Sequence, residues 1–272
     1  MNPMTAQSAT LLAEKVWYFG FGSNLKISVM RSRGIEPLAA KPVRVPGYVL
    51  TFDVFGLPYS EPAMASISRY VVNASKDSGV DTDPPIVHGV AYLLSRADLV
   101  RLIGTEGGGV AYREAIVEGF PICTGSGSIS DEECMKPISM TTLVARYPRR
   151  PNAAPSARYL KIIKEGAEEH DLPVEYRGYL GSLPCFIPDE TWLHWLGAVI
   201  FLCVGRRAVW ILARIVRRAV RRNNGMCPAW YGSLILYAYT AMWLWHDYIH
   251  APMFGRGDGE HVRYGRLTLL TE

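Results

Sequence analysis

Trp17-Tyr18-Phe19-Gly20-Phe21-Gly22-Ser23-Asn24-Leu25 is the stretch that decides the fold of this 272-residue chain. It enters as a strand, because Val16 to Phe19 are β-branched or aromatic. It leaves as a helix, since Leu25 to Arg33 reads as one short helical segment that Gly34 can terminate. Between the two, Gly20 and Gly22 make a loop. Glycine tolerates positive φ and lets a ligand come close to the backbone. A strand, a glycine loop and a helix start, in that order, turn backbone N–H groups toward one point where an anionic or carbonyl oxygen can bind. The same letters also describe an ordinary strand-to-helix turn, so spacing alone leaves both readings open.

Outward from that loop the pattern is of many strands and few helices. Residues 1 to 14 are a loose lead-in, and Ile35 to Pro46 reads as a proline-bearing connector. Strands are expected at Gly47–Phe55, Ala63–Ser68, Val87–Leu94, Tyr112–Val117 and Ile138–Val144. Polar loops separate them at 74 to 85 and 124 to 133, and Arg146 to Pro155 is loop-like. Ser156 caps a helix from about Ala157 to Glu169, and Pro173 starts a further turn through Tyr176 to Leu180. Strands and helices that do not alternate regularly indicate an α+β fold rather than a doubly wound sheet.

One carboxylate stands out. Ser95-Arg96-Ala97-Asp98 is a capping box that starts a helix with Leu99, Leu102 and Ile103 on one face. Continuing the helical count, the next inward position is Glu106, just before Gly107-Gly108-Gly109. A helix C-terminus and an apolar surround both work against a fixed negative charge, which suits a group that carries a proton. The alternative is a helix that ends at Ile103 with Glu106 exposed in the loop.

From Trp192 the composition changes. His194 to Val204 is apolar and runs into a block from Arg206 to Arg222 that holds seven arginines and no acid, interleaved with Val209, Trp210, Leu212, Ile215 and Val216. This is a basic amphipathic helix. After Asn223-Asn224-Gly225, the 17 residues from Ala229 to Trp245 carry no charge. That length is at the lower edge of a bilayer span, about 17–25 residues. A membrane-bound segment, a helical hairpin packed on the domain and a partner-binding module all fit residues 191 to 254. The interleaved apolar residues favour a lipid surface over nucleic acid for the arginine block.

The bulk numbers bound the rest. An apolar fraction of 49% is that of a globular chain, and a net charge of +4 is modest. Five cysteines without metal spacing read as reduced thiols of an intracellular protein, with no signal-type apolar run before Lys15. His246-Asp247-Tyr248-Ile249-His250 has helical histidine spacing but no evident third ligand, so no metal is assigned. Ser23 lacks the Gly-x-Ser-x-Gly frame of a nucleophile, and His88 reads as a structural residue of its strand.

The loop resembles the Tyr/Phe-Gly-Ser-Asn loop of the γ-glutamylcyclotransferase family. Two further matches follow in order: Thr105-Glu106-Gly107 with Tyr112, and Pro155-Ser156-Ala157-Arg158-Tyr159…Gly166-Ala167-Glu168-Glu169-His170-Asp171-Leu172-Pro173-Val174-Glu175-Tyr176. The resemblance covers residues 14 to 182, is similar to the fungal cyclotransferases of gliotoxin-type sulfur metabolism, and stops before the extension at 191 to 254. It implies a small mixed β-barrel flanked by helices. It implies cyclisation of a γ-glutamyl amide to 5-oxoproline without a cofactor, with Glu106 as the proton carrier. Tyr18, Gly20, Phe21, Gly22, Ser23, Asn24, Leu25 and Tyr112 would hold the substrate. Phe21 stands where many members carry Tyr. Tyr159, Glu165 and Tyr176 would support the pocket. The competing class is a non-catalytic member of the fold that acts as a membrane-tethered scaffold through its tail.

Overall fold

The computed structural model describes residues 14–70, 84–122, 135–149 and 152–259. Five strands close a barrel: β1 (Lys15–Gly20), β5 (Val87–Ser95), β2 (Ala39–Val45), β6 (Tyr112–Pro121) and β7 (Ile138–Ala145), in that spatial order. Closure is by β1 against β7, a parallel pairing registered at Tyr18 and Thr141. β1 and β5 pair antiparallel from Lys15–Ser95 to Gly20–Val90. A separate hairpin, β3 (Tyr48–Leu57) and β4 (Glu61–Arg69), lies against the barrel, where Ser66 Oγ accepts from the Ala145 N–H at 2.8 Å. The expected α+β barrel with flanking helices is therefore the observed architecture. Of the loops expected at 74 to 85 and 124 to 133, all but residues 84 and 85 lies outside the described residues.

Two expectations need correction. The supposed connector from Ile35 to Pro46 contains β2, which lies between β5 and β6 in the barrel. Proline is tolerated there because the carbonyl of Pro42 accepts from the Ile122 N–H at 2.9 Å on the β6 side. The N–H and C=O of one strand residue point the same way, so the missing N–H of Pro42 faces the margin of that pairing, which begins only at Val43 and Pro121. Leu25 to Arg33 is likewise not one helix. Ser23–Leu25 forms a 3₁₀ turn, Lys26 is extended, and α1 is Ile27–Ser32. The break lets Glu169 Oε2 accept from the Ile27 N–H at 3.1 Å while Lys26 pairs with Glu165.

Ser95 is the N-cap, as expected: its Oγ accepts from the Asp98 N–H at 3.1 Å and starts α2 (Arg96–Thr105), while the Asp98 carboxylate accepts from the Ser95 hydroxyl at 2.8 Å rather than from its backbone N–H. Ser156 caps α3 (Ala157–Glu169) in the same way, and α4 (Val174–Ser182) follows Pro173. α3 lies directly behind the glycine loop. A Cβ on Gly166 would stand 2.8 Å from the Leu25 carbonyl carbon and the Lys26 nitrogen, so only glycine permits this approach. Tyr92 ties the same layers together. Its hydroxyl donates to the Leu25 carbonyl at 2.8 Å and accepts from His170 Nε2 at 2.8 Å. Phe19, Leu25, Met30, Leu99, Leu102 and Ile163 fill the space between as fully buried side chains.

The extension is packed on this domain. α5 (Trp192–Arg222) is one 31-residue helix that joins the apolar and arginine-rich segments, and α6 (Ala229–Trp245) has the bounds expected of it. A π-turn at His246–His250 and a short α7 (Ala251–Phe254) complete it. The tip of the β3–β4 hairpin enters this region. Tyr59 sits among His194, Phe201, His246 and His250 at ring distances of 5.2, 5.3, 5.6 and 5.5 Å. Its buried phenol is pushed up to about 12 by burial and by the Asp258 charge. Trp243 Nε1 donates to the Gly56 carbonyl at 3.1 Å.

Replacing Gly166 with Ala is expected to lower thermal stability by about 1–3 kcal/mol, the range for overpacking at a rigid contact. Thermal unfolding of the variant, followed by circular dichroism, checks this. An unchanged midpoint would show that α3 can retreat from the loop at no cost.

Candidate active site

Glu106 is the C-cap of α2, so the helix runs to Thr105 and the alternative of an end at Ile103 does not hold. Gly107, Gly108 and Gly109 all have positive φ, which turns the chain sharply away into β6. The Glu106 side chain is 19% exposed. Its Oε1 accepts from Asn24 Nδ2 at 3.2 Å and pairs with the Arg33 guanidinium. Both bonds are at Oε1, so that oxygen is anchored.

The barrel and the loop bring the remaining polar groups to this carboxylate. Asn24 Nδ2 also donates to the Tyr18 hydroxyl at 3.0 Å, so one amide spans the strand and the helix end. Tyr159 from α3 accepts from the Ala65 N–H at 3.2 Å, and Ser23 also hydrogen-bonds its hydroxyl. The Tyr112 hydroxyl donates to the Ala65 carbonyl at 3.2 Å. Burial pushes the Tyr18 and Tyr112 phenols above their ordinary range, and the Glu106 charge adds to this; Tyr159 rises to about 12 for the same leading reason. All three therefore stay neutral and serve as hydrogen-bonding walls around the Glu106 carboxylate.

The structure thus gathers Tyr18, Ser23, Asn24, Tyr112 and Glu106 around one place. Phe21 and Leu25 are buried in the same core as Tyr18, Phe21 lying against Phe19. Gly20 and Gly22 contribute by having no side chain. A Cβ at Gly20 would press on Tyr92 at 3.2 Å, and one at Gly22 on the Tyr159 hydroxyl at 3.2 Å. Sequence reasoning missed Arg33, because a single arginine beyond a short helix has no pattern to mark it. The supporting residues of α3 and α4 are placed behind the loop: Glu165 holds Lys26, and Tyr176 stacks on His88 at 4.5 Å.

The histidine pair in the tail does different work. His246, Asp247 and Asp258 bring possible ligand atoms within 4.8 Å of one another. Arginines take those oxygens: Arg149 Nη2 lies 3.0 Å from Asp247 Oδ2, and Arg256 lies against both aspartates. His246 Nε2 accepts from the Gly257 N–H at 3.1 Å, so its Nδ1 carries the proton shared with Asp247 at 2.8 Å. His250 turns elsewhere and donates to the Gly197 carbonyl at 2.9 Å. This is a charged clasp that holds the tail, and its donor set does not fit a cation.

A cavity of about 720 Å³ opens beside Glu106. Its walls are Gly104 to Gly107 and Val110 at the end of α2, Val54 and Phe55 of β3, and residues of α5 and α6 including Leu212, Val216, Ile235 and Tyr239. Glu106 is the only acid among the lining residues.

Comparison with known proteins gives the family. Over 259 residues the chain is 40% identical to the gamma-glutamyl cyclotransferase gliK of Aspergillus fumigatus, covering 92% of this chain and 91% of that one. It is 35% identical over 252 residues to the gamma-glutamyl cyclotransferase aclK of Aspergillus oryzae, covering 90% of each. Residues 191–253 match the family described as AclK C-terminal domain. Among solved structures it is similar to an uncharacterized protein from Homo sapiens, with 22% identity, a TM-score of 0.49 and coverage of 65% of this chain and 91% of that one. The chain belongs to the gamma-glutamyl cyclotransferase family and is an enzyme of that type.

Exchanging Asn24 for Leu removes both amide bonds while keeping the bulk. Losing the bond to a charged partner is worth about 1–3 kcal/mol, so kcat/KM toward a γ-glutamyl substrate is expected to fall about 10–100-fold. Steady-state kinetics on folded protein measure it. Wild-type kinetics would mean that Arg33 alone positions Glu106.

Proposed function

We propose that the chain converts a γ-glutamyl amide, such as glutathione, a γ-glutamyl peptide or a glutathione adduct, to 5-oxoproline and a free amine, with Glu106 as the general acid/base. The observation that carries this reading is the anchored carboxylate: one oxygen is held by Asn24 and Arg33, and the other is without a described donor. The substrate's α-nitrogen gives a proton to Glu106 and attacks the γ-carbonyl carbon. The tetrahedral centre collapses as its bond to the departing nitrogen breaks, and Glu106 returns the proton to that nitrogen. The nucleophile is tethered to its target, so proximity lowers much of the barrier. The backbone from Gly20 to Leu25 would hold the γ-glutamyl part and meet the developing oxyanion, with Tyr18 and Tyr112 beside it.

The carboxylate is tested by Glu106→Gln, which keeps the shape and removes the base. Release of 5-oxoproline from glutathione, a γ-glutamyl dipeptide or an S-alkyl glutathione is expected to fall by about 10²–10⁴-fold, the usual worth of a general acid/base. Turnover at the wild-type rate would remove Glu106 from the mechanism. No release by the folded wild type from any of the three would favour a scaffold that has kept the fold without the chemistry.

We assign catalysis to residues 14 to 182 and membrane association to residues 191 to 254, in an intracellular protein. The described cysteines, Cys185, Cys203 and Cys227, are free thiols, which suits a reducing compartment. α5 is long and apolar enough by composition to cross a membrane, with only 17% of its most apolar window buried. Trp192, Trp195 and Trp230 are 73%, 65% and 64% exposed. Exposed indole rings at the starts of α5 and α6, with arginines along the second half of α5, suit helices lying in the headgroup layer of an anionic surface. Full-length protein is expected to float with phosphatidylserine-containing vesicles, and a Trp192→Ser, Trp195→Ser, Trp230→Ser variant to stay at the bottom of the gradient. Equal flotation of both would overturn the assignment of these residues.

A further inference from the structure

We infer that the cavity beside Glu106 receives the amine half of the substrate, and that α5 and α6 select substrates whose amine half is apolar and ends in a carboxylate. The inference rests on the cyclotransferase reading above. Its starting point is position. Glu106 stands between two different surroundings. On one side are Tyr18, Asn24 and the glycine loop, a tight and polar place. On the other is the cavity, to which none of residues 18 to 25 contributes. When a γ-glutamyl amide cyclises, the bond that breaks joins a small polar acyl half to an amine half, and the proton carrier must reach the nitrogen between them. A carboxylate between the polar groups of the loop and a separate cavity meets that requirement when the acyl half lies toward the loop and the amine half in the cavity.

The cavity's size and lining point to a particular amine half. About 720 Å³ lies within the roughly 300–1,000 Å³ of sites for drug-sized ligands, and an unsubstituted cysteinylglycine fills only a fraction of it. Val54, Phe55, Leu212, Val216, Ile235 and Leu236 give it apolar walls. Arg217 and Arg221 stand on its rim, and neither is paired with a described acid. Apolar walls with cations at the rim match an apolar substituent and a terminal carboxylate.

The tail is also built into the turn that carries Glu106. A Cβ on Gly104 would lie 3.1 Å from Val220 Cγ1, and one on Gly108 would lie 2.7 Å from Val220 Cγ2 and 2.9 Å from the Cys227 nitrogen. The Cys227 N–H donates to the Gly108 carbonyl at 2.9 Å. The helix end that positions the carboxylate is therefore shaped to receive the α5–α6 corner, and the cavity wall and Glu106 are held in one register.

The test is kinetic, on the full-length enzyme. Ala213 lines the cavity, and Ala213→Trp fills it. The ratio of kcat/KM for S-hexylglutathione to that for γ-glutamylalanine is expected to fall by about tenfold or more, the scale on which a pocket discriminates apolar bulk. The double variant Arg217→Met, Arg221→Met is expected to raise KM for S-hexylglutathione and to abolish its advantage over the glycyl ethyl ester of the same compound. These arginines are at the surface, so the second variant tests the cavity even if the first fails to fold. Ratios unchanged from wild type in both variants would overturn the inference, as would an equal loss for every substrate. Absence of 5-oxoproline from the wild type would instead sink the cyclotransferase reading, a distinguishable failure.

Discussion

The close approach of α3 to the glycine loop is the contact on which the site depends. Gly166 allows helix backbone to touch loop backbone at Leu25 and Lys26, and nothing larger than hydrogen fits between them. Once the two are this close, neighbouring groups fall into reach. Glu169 takes the Ile27 N–H, Glu165 takes Lys26, and His170 with Tyr92 takes the Leu25 carbonyl. The loop packs Phe21 and Leu25 into the core, and this buttress fixes its backbone from the other side. A loop built this way has its backbone held in place by a neighbouring helix.

Electrostatics at Glu106 follow from the same geometry. The α2 C-terminus sets the carboxylate in the field of carbonyl dipoles, which alone would work against its charge. Arg33 and Asn24 compensate, one with a counter-charge and the other with a neutral donor, both at the same oxygen. The asymmetry matters more than the sum. A carboxylate bound symmetrically at both oxygens would be a structural ion pair. Here both described bonds converge on Oε1, which fixes the direction of the carboxylate.

Much of this was legible in the residues. The capping serines at 95 and 156 announced two helices because their signal is local, a hydroxyl three residues ahead of an N–H. Glu106 was legible because helical periodicity asked for an apolar residue there. The long motif around Gly166 was legible as a support but not as a buttress, since the spacing of a helix does not say which backbone it will meet. β2 was hidden by Pro42, whose lost N–H costs little only because β6 pairing begins one residue further on. Arg33 and the cavity were beyond sequence reasoning for one reason: each joins residues far apart in the chain through contacts that no local pattern encodes.

The tail shows how one helix can serve two neighbours. A membrane-spanning helix is apolar all round over about 20 residues. α5 has one stretch that meets this by composition, but its second half carries arginines through to its end. α6 is apolar for its full 17 residues, yet its Trp243 is buried and donates into the β3–β4 hairpin, and its Ile235 is 4% exposed at the cavity. A helix committed by those contacts cannot leave for the bilayer interior without exposing them. Its outer surface is a different matter: Trp230, Leu234, Tyr237 and Leu244 face away from the protein, as does Trp210 on α5. The same two helices therefore present apolar surface inward to the cavity and outward to the surroundings. Two-sided apolarity explains why the composition of this segment approaches that of a membrane span, although its packing is that of a hairpin docked on the domain.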